Sequence, residues 1–317
     1  MRIGLAVGDL RGPATAEELA RQVRSAAERG LSSVWASQAF GWDALTALAV
    51  AGVQVPQIEL GTAVVPVPQR HPLVLAGQAL SVQAATGNRL TLGIGAGISM
   101  MVTDMYGLPA DRPAARMREY LSILRPLLRG EAVSHQGETL TAVGQVGVAT
   151  ATPPPVLLAA LAPAMLRLAG ELADGTVTWM TGPRTLADHI VPSITKAAEA
   201  AGRPSPRLVA GLLVSVTDDE HGVRGRIAEQ FGLAGQVPEY RAVLDRERAA
   251  GPQDVVIAGD ETQVERQLRR LRDAGVTDFF AAPFGSPAEQ DRTIEVIAAL
   301  ARTTRSRHGR RGTYGAR

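Results

Sequence analysis

Side chains that could transfer a proton are scarce in the loops that follow the apolar segments of this 317-residue chain. His71 stands directly before Pro72 at the start of a predicted helix, and Gln38 follows the second apolar segment. An imidazole exchanges a proton near neutral pH, and an amide can hydrogen-bond a substrate oxygen. His71 and Gln38 are therefore our candidates for polarising or protonating a substrate. A histidine before a proline is also typical of a structural turn, so both interpretations of His71 stay open.

Residue sets that mark other catalytic mechanisms are missing from the same loops. These loops contain no carboxylate pair, no Ser-His-Asp arrangement and no metal-ligand cluster. The absence of cysteine excludes disulfides, thiolate catalysis and sulfur-ligated metals. Metal-dependent hydrolysis and glycoside hydrolysis by two carboxylates are therefore poorly supported. Loops of small residues are instead typical of a site where a bound organic cofactor supplies the reactivity.

A glycine run at 93–97 (Gly-Ile-Gly-Ala-Gly) ends the fourth apolar segment. It lacks the following helix and acidic residue that would complete a dinucleotide-binding motif. Its glycines either let the strand end turn, or let a planar ring lie against backbone that has no side chains. Three residues in these loops are candidates for the wall of a substrate pocket, although an aromatic ring there is equally typical of the core: Phe40, Trp42 and Ser99.

Eight short apolar strands, most of them followed by an amphipathic helix, must position these loops. When such strands close into a (β/α)8 barrel, their carboxyl ends meet at one face, and the chemistry of these barrels takes place there. We therefore predict an α/β fold with a single TIM barrel. The predicted strands are Ile3–Val7, Val34–Ala36, Ile58–Val65, Leu90–Ile94, Val156–Ala160, Thr176–Trp179, Leu208–Val216 and Thr277–Ala281. The predicted helices of the outer ring are Ala16–Arg29, Pro72–Ala85, Arg112–Leu128, Pro163–Leu172, Thr185–Ala201, Glu261–Ala274 and Pro287–Ala301.

Two insertions interrupt this alternation of strands and helices. Residues 130–155 contain a glycine-turned hairpin before the fifth strand, and the stretch between strands 7 and 8 holds additional helices. Neither insertion is long enough to bury a core of its own, so we assign both to the barrel domain. The predicted organisation is one barrel domain, residues 1–301, followed by a basic and disordered tail, residues 302–317.

Composition and charge limit the cellular setting. Apolar residues make up 45% of the chain and aromatic residues only 4%, so the core must consist of Ala, Val and Leu. The net charge is +2, and the six arginines of residues 302–317 leave −4 for residues 1–301, which gives no support for nucleic-acid binding. There is no signal-peptide pattern and no apolar run of about 18 residues. We expect a cytoplasmic enzyme that acts on a small molecule and has no membrane partner.

Five sequence blocks, in the expected order, resemble the luciferase-like oxidoreductases. The resemblance covers about residues 2–300 and is strongest to the actinobacterial branch that depends on the deazaflavin coenzyme F420. Members of this branch are often homodimers, so the resemblance implies a homodimer here. The blocks are Ser33-Val34-Trp35 with 40–45, 60–66 with Arg70-His71-Pro72, 83–95, 171–175 and 274–279.

This resemblance implies where the ring of coenzyme F420 would bind, with FMN as the alternative cofactor. In similar proteins a non-prolyl cis peptide forms a bulge in strand 3 behind the ring, and the matching bond joins Ala63 and Val64. The backbone at Gly95 and Ala96 would face the ring.

The resemblance also implies a phosphate site for the cofactor. The backbone N–H groups of two loops would hold the phosphate, and the helices that start at Pro163 and Pro183 would add a favourable dipole. Arg70 is a further candidate for a cofactor carboxylate or phosphate. The two loops contain Ala160 and Leu161 after strand 5, and Met180, Thr181 and Gly182 after strand 6.

The chain departs from the family pattern at two places. Gln38-Ala39 stands where relatives that oxidise alcohols have Asp-His, and Gly97-Ile98-Ser99 stands where close relatives have Ser-His-Gln. Oxidation of an alcohol needs a base for its proton. The resemblance therefore implies a reductase that transfers hydride from reduced F420 to an activated C=C or C=N bond of a small organic or natural-product substrate. Two alternatives stay open: an FMN-dependent monooxygenase, and a non-catalytic barrel that binds a cofactor or a partner.

Overall fold

Eight parallel strands close into a barrel in the computed structural model, which describes residues 1–8 and 14–311, the last eight of them by backbone only. The strands of the chain are β1 (Arg2–Val7), β2 (Ser33–Ala36), β3 (Glu59–Thr62), β4 (Val65–Pro66), β5 (Leu90–Gly95), β6 (Val133–Gln136), β7 (Thr141–Gly144), β8 (Val156–Ala159), β9 (Gly175–Trp179), β10 (Arg207–Val216), β11 (Ile257–Gly259) and β12 (Asp278–Pro283). The ring runs β1-β2-β3-β5-β8-β9-β10-β12 and returns to β1. The predicted α/β barrel is therefore confirmed.

Helices follow the strands and cover the outside of the barrel. They are α1 (Ala16–Glu28), α2 (Ala44–Gln54), α3 (Pro72–Ala85), α4 (Pro113–Leu128), α5 (Pro163–Leu172), α6 (Pro183–Thr185), α7 (Val191–Ala200), α8 (Glu220–Phe231), α9 (Pro238–Glu247), α10 (Glu261–Asp273) and α11 (Pro287–Arg311). A π-helical turn, Leu186–Ile190, joins α6 to α7, so the helix is continuous over 183–200. No helix in the described part of the chain is long and apolar enough to cross a membrane.

The amino-terminal end of the barrel is closed by an ion-pair network. Arg207 contacts Asp278 at 2.8 Å and Glu59 at 2.7 Å, and Arg2 bonds the same two carboxylates. Asp278 is almost fully buried. Because each buried charge has an opposite partner, this end can stay polar without an uncompensated charge.

An aromatic column fills the middle of the barrel. Trp35 stacks on Phe280, and Phe280 stacks on Trp179, with ring centroids 5.7 and 6.1 Å apart. The facing positions are glycines, since a Cβ on Gly61 would overlap the indole of Trp35 and one on Gly211 would overlap Phe280. Trp179 lies at the end of this column and is partly exposed.

The hairpin and the insertion both form as predicted, with details that sequence patterns missed. β6 and β7 pair in an antiparallel hairpin before β8. Besides its helices, the insertion contains the short strand β11, which pairs with the far end of β10 outside the ring. Helix α11 continues ten residues past the predicted end at Ala301, while residues 312–317 lie outside the described residues. The division into a barrel and a disordered tail stays a prediction.

Among the outer helices of the described residues, α2 is the one absent from our predictions. Its sequence, ALTALAVAGVQ, has almost no polar face, so it shows no helical period. Its start did carry a signal, because the Asp43 side chain accepts a hydrogen bond from the Thr46 N–H at 2.9 Å.

Candidate active site

Small residues form the floor of the carboxyl-terminal mouth on one side of the barrel. Ala63, Val64 and Ala159 pack against the interior cluster and are partly exposed, as is Trp179. A Cβ on Gly95 would lie 2.9 Å from Val64 Cγ2 and 3.3 Å from the Cβ of Ala159. Gly95 is therefore packed closely against Val64 and Ala159, and no larger residue fits at this position of the floor.

The peptide bond between Ala63 and Val64 is cis, as predicted, and it separates β3 from β4. The neighbouring strand β5 is fitted to this bulge. A Cβ on Gly93 would overlap the carbonyl oxygen of Thr62, whose hydroxyl also bonds the Gly93 backbone at 2.7 and 2.8 Å. Close packing against β3 therefore explains why residue 93 is a glycine, whereas Gly95 forms part of the floor of the mouth.

The two helix starts that were predicted to hold a phosphate differ. Helix α5 begins at Pro163 with no side chain capping its first turn, and residues 162–164 are exposed. At the start of α6, the Glu247 carboxylate accepts hydrogen bonds from Arg184 N at 3.2 Å and from Thr185 N at 2.7 Å. An anion from α9 therefore already satisfies the free N–H groups of α6.

The predicted phosphate loops lie at the mouth beside these helix starts. Ala160 is buried, and the Leu161 carbonyl accepts a hydrogen bond from His189 Nε2 at 2.9 Å. Met180 is buried with a positive φ of 53°, and the Thr181 hydroxyl donates to the Trp179 carbonyl at 3.2 Å. Gly182, the cap residue of α6, is pressed against Glu247, so a Cβ there would overlap that carboxylate.

His71 and Gln38 are both tied to backbone groups. His71 Nδ1 accepts from Leu73 N at 3.3 Å, while its Nε2 donates to the Thr141 carbonyl at 2.9 Å. The ring therefore caps α3 and holds strand β7 against it. Gln38 Oε1 accepts from Ala44 N at 3.3 Å. These bonds favour the structural interpretation of His71.

The predicted pocket residues do not form one cluster. Phe40 is 70% exposed in the loop after β2. Trp42 donates its indole N–H to the Ala14 carbonyl at 2.8 Å. Arg70 is paired with Asp43, which leaves one buried guanidinium nitrogen without a partner among the described residues.

Ser99 connects the loop after β5 to the first turn of α9. The Ser99 N–H and hydroxyl both bond Glu239 Oε1, at 3.2 and 2.8 Å. The other oxygen of Glu239 is buried and has no hydrogen-bond partner in the described part of the chain. Helix α9 is thus anchored at both ends across the mouth, by Glu239 to the β5 loop and by Glu247 to α6.

Tyr240 is a functional candidate that sequence reasoning missed. It follows Glu239 in the first turn of α9 and packs against the apolar cluster of Met180 and Leu244. Burial, with a smaller contribution from the Glu239 carboxylate, raises the pKa of Tyr240 to about 12. Its hydroxyl therefore keeps its proton at physiological pH. Only the docking of α9 over the mouth reveals this residue, because nothing local in its sequence marks it.

Comparisons with known proteins agree with this architecture. The family model described as luciferase-like monooxygenase matches residues 3–305. A Mycobacterium tuberculosis protein that is assigned, without a named substrate, to the coenzyme F420-dependent oxidoreductases is 28% identical; the match covers 94% of this chain and 99% of that protein.

Two solved structures share the fold. An F420-dependent secondary alcohol dehydrogenase in complex with an F420–acetone adduct superposes with a TM-score of 0.79 at 17% identity, covering 94% of this chain and 97% of its own. The second structure is the oxygenating constituent of 3,6-diketocamphane monooxygenase from Pseudomonas putida, in complex with FMN. It has a TM-score of 0.75 at 19% identity, and the match covers 94% of this chain and 96% of that one.

Proposed function

The chain belongs to the luciferase-like monooxygenase family, and from this premise we propose that it is a reductase that uses reduced coenzyme F420. Its substrate would be a small organic or natural-product molecule with an activated C=C or C=N bond. The observation that carries the proposal is the set of small residues at the floor of the mouth, Ala63, Gly95 and Ala159, which pack around Val64 at the bulge between β3 and β4. The full-length F420-assigned relative supports the choice of cofactor.

Residues on the open side of the mouth fit the cofactor. The ring would lie on the floor, bordered by Val64, Gly95 and Ala96. The uncapped start of α5, together with the loop at Ala160 and Leu161, would hold the phosphate through backbone N–H groups. When bound, the reduced deazaflavin supplies a hydride.

A proton must accompany the hydride, and we look first for a side chain that could donate it in place of water. His71 has both ring nitrogens engaged, and Gln38 has its oxygen bonded to the start of α2. Tyr240 of α9 is our remaining candidate for the proton donor; its pKa is raised to about 12, so it is neutral and can hydrogen-bond a substrate, although it is a weaker acid than an ordinary tyrosine. Its hydroxyl would donate a hydrogen bond to the substrate and then its proton, which water would replace. Hydride and proton together add two hydrogen atoms across the double bond.

An FMN-dependent monooxygenase is the competing function, since an FMN-bound barrel shares this fold. The small-residue floor would accept either ring. The chemical difference is that a monooxygenase consumes oxygen, whereas the proposed reductase consumes only the reduced deazaflavin and the substrate.

Cofactor selectivity tests the proposal. Oxidised F420 and FMN are titrated separately into the full-length protein, and quenching of each cofactor's fluorescence is followed. We expect micromolar binding of F420 and none of FMN at the same concentrations. The reverse selectivity would support the monooxygenase, and binding of neither would support a non-catalytic barrel.

We also propose that the protein is a homodimer in the cytoplasm. Exposed valines on adjacent outer elements, Val50 and Val53 of α2 with Val74 of α3 and Val143 of β7, offer an apolar face for a second copy. Light scattering on the purified chain should give twice the monomer mass. The Val53→Lys variant should have a measured mass closer to that of the monomer.

A further inference from the structure

We infer that Glu239 and three aromatic side chains of the mouth form a subsite for a cationic nitrogen of the substrate. The inference rests on the proposed function and deepens it, because it names the class of substrate: an unsaturated molecule that carries a protonated amine. The subsite lies on the half of the mouth that α9 covers.

The carboxylate of Glu239 has one oxygen held by the protein and one oxygen free. Its Oε1 accepts hydrogen bonds from the N–H and the hydroxyl of Ser99, at 3.2 and 2.8 Å, so the side chain is fixed in place. Its Oε2 is buried and has no hydrogen-bond partner within the residues that the structure describes. Leaving a buried carboxylate oxygen unpaired costs free energy, and a ligand that donates an N–H would remove this cost.

The arginines of the two segments that meet here leave this oxygen unpaired. On α9, the arginine nearest to Glu239 in the chain is Arg241, which contacts Asp245 at 2.7 Å. The loop after β5 contains one arginine, Arg112, which is paired with Glu138, and two aspartates that add negative charge. Across the described part of the chain Glu239 forms no ion pair, so its surroundings favour a positively charged ligand.

Three aromatic rings supply the apolar part of the subsite, in a chain whose aromatic content is only 4%. Trp179, Phe231 and Tyr240 pack against one apolar cluster, and each of them is partly exposed. Trp179 and Phe231 also pack against the interior cluster that carries Ala63 and Val64, so they border the same mouth as the floor. Aromatic faces attract organic cations, because their π-electrons carry a partial negative charge.

The pKa of Tyr240 connects the carboxylate to the reacting end of the substrate. Burial and, less strongly, the Glu239 carboxylate raise the pKa of Tyr240 to about 12. The charge of Glu239 therefore acts on the hydroxyl that we propose as the proton donor. A nitrogen bound to the free oxygen of Glu239 would lie close to the reducible bond.

Benzylammonium and benzyl alcohol are the probes for this subsite, because they share a ring and differ in charge. Each is titrated calorimetrically into the full-length protein without cofactor. We expect wild type to bind benzylammonium about tenfold more tightly, since only the cation can pair with Glu239 and gain from the aromatic faces. Equal affinity for the two probes would overturn the inference.

Two substitutions show whether the charge of Glu239 is responsible. Glu239→Gln keeps an oxygen that can accept from Ser99, so α9 should stay docked, and this variant should lose the preference for benzylammonium. Glu229→Gln removes an exposed carboxylate from α8 of the same insertion and should behave as wild type. A preference that survives Glu239→Gln, or one that Glu229→Gln also abolishes, would overturn the inference. The wild-type comparison stands even if Glu239→Gln does not fold.

An unsaturated amine and its uncharged N-acetyl derivative test the consequence for turnover with reduced F420. Wild type should have a kcat/KM at least about tenfold higher for the amine, and Glu239→Gln should remove that difference. Equal kcat/KM for the two compounds in wild type would overturn the inference. If neither compound is reduced, the proposed function fails, while the calorimetric titration still decides the role of Glu239.

Discussion

The two halves of the barrel mouth are built differently. Around β3, β5 and β8 the floor consists of alanine and glycine, and the following helix α5 begins uncapped at an exposed turn. Around β9 and β10 the mouth is covered by α9, whose Glu247 satisfies the start of α6 and whose Tyr240 packs beside Met180. One half is lined by small residues and an uncapped helix start, and the other is occupied by side chains of α9.

This difference shows why similar local sequences do not imply similar sites. Both α5 and α6 follow a buried strand and have proline at their first helical position. That pattern predicts an available anion site at each helix start. Only the tertiary position of Glu247, more than sixty residues further along the chain, closes one of them.

The largest effect should come from the covered half. We predict that Tyr240→Phe lowers kcat about 100-fold with little change in F420 affinity, because it removes the proton donor but keeps the packing ring. Wild-type turnover should stay level as pH rises to 10 and fall only near pH 12, where the Tyr240 hydroxyl ionises. Steady-state rates with reduced F420 measure both. Unchanged kcat in the variant would remove Tyr240 from the reaction.

A charge placed at the open helix start should have the next largest effect. Ala164→Glu puts a carboxylate in the first turn of α5, where it stabilises the helix but repels a phosphate. We expect F420 affinity to fall about tenfold while the thermal midpoint stays equal or rises. Ala164→Gln, which adds the same bulk without charge, is the matched control. Equal affinity in both variants would place the phosphate elsewhere.

The floor can be tested by adding a single methyl group. Gly95→Ala places a Cβ 2.9 Å from Val64 Cγ2, so the bulge or the bound ring must shift. We expect a loss of about 1–3 kcal/mol in unfolding free energy and a several-fold weaker F420 affinity. Gly77→Ala is the control, because a Cβ there meets only Val146 at 3.8 Å. Undiminished cofactor binding in Gly95→Ala would mean that the ring lies away from this floor.

The smallest effect on catalysis is expected at His71. Removing its ring in His71→Ala loses the α3 cap and the bond to Thr141, which should cost about 1 kcal/mol of stability. Turnover should remain within about twofold of wild type. His71→Asn, which can still cap α3, should recover part of the stability. A large fall in kcat in a folded His71→Ala protein would instead identify the histidine as catalytic.

Much of the architecture could be predicted from periodicity alone. The eight barrel strands follow from short apolar runs, the hairpin at β6 and β7 from its glycine turn, and most outer helices from apolar residues at helical spacing. Helix α2 could not be found this way, since it is apolar on nearly all sides. The end of α11 was also missed, because its last turns carry no apolar stripe.

The candidate site was harder to predict, because its contacts join distant segments. The bulge at Ala63 and Val64 was expected from the family resemblance, and no propensity rule would have indicated it. Glu239 and Tyr240 became candidates only because α9 docks against the loops that contain Ser99 and Met180. These contacts join residues 60 and 140 positions apart in the chain, so they leave no local sequence pattern.

The most direct test of the account is a crystal structure of the full-length protein with oxidised F420. We predict that the ring lies on the floor formed by Ala63, Gly95 and Ala159, and that the phosphate lies at the start of α5. Glu247 should remain bonded to Arg184 and Thr185. A phosphate bound at the start of α6 with Glu247 displaced, or a ring bound away from this floor, would contradict the account.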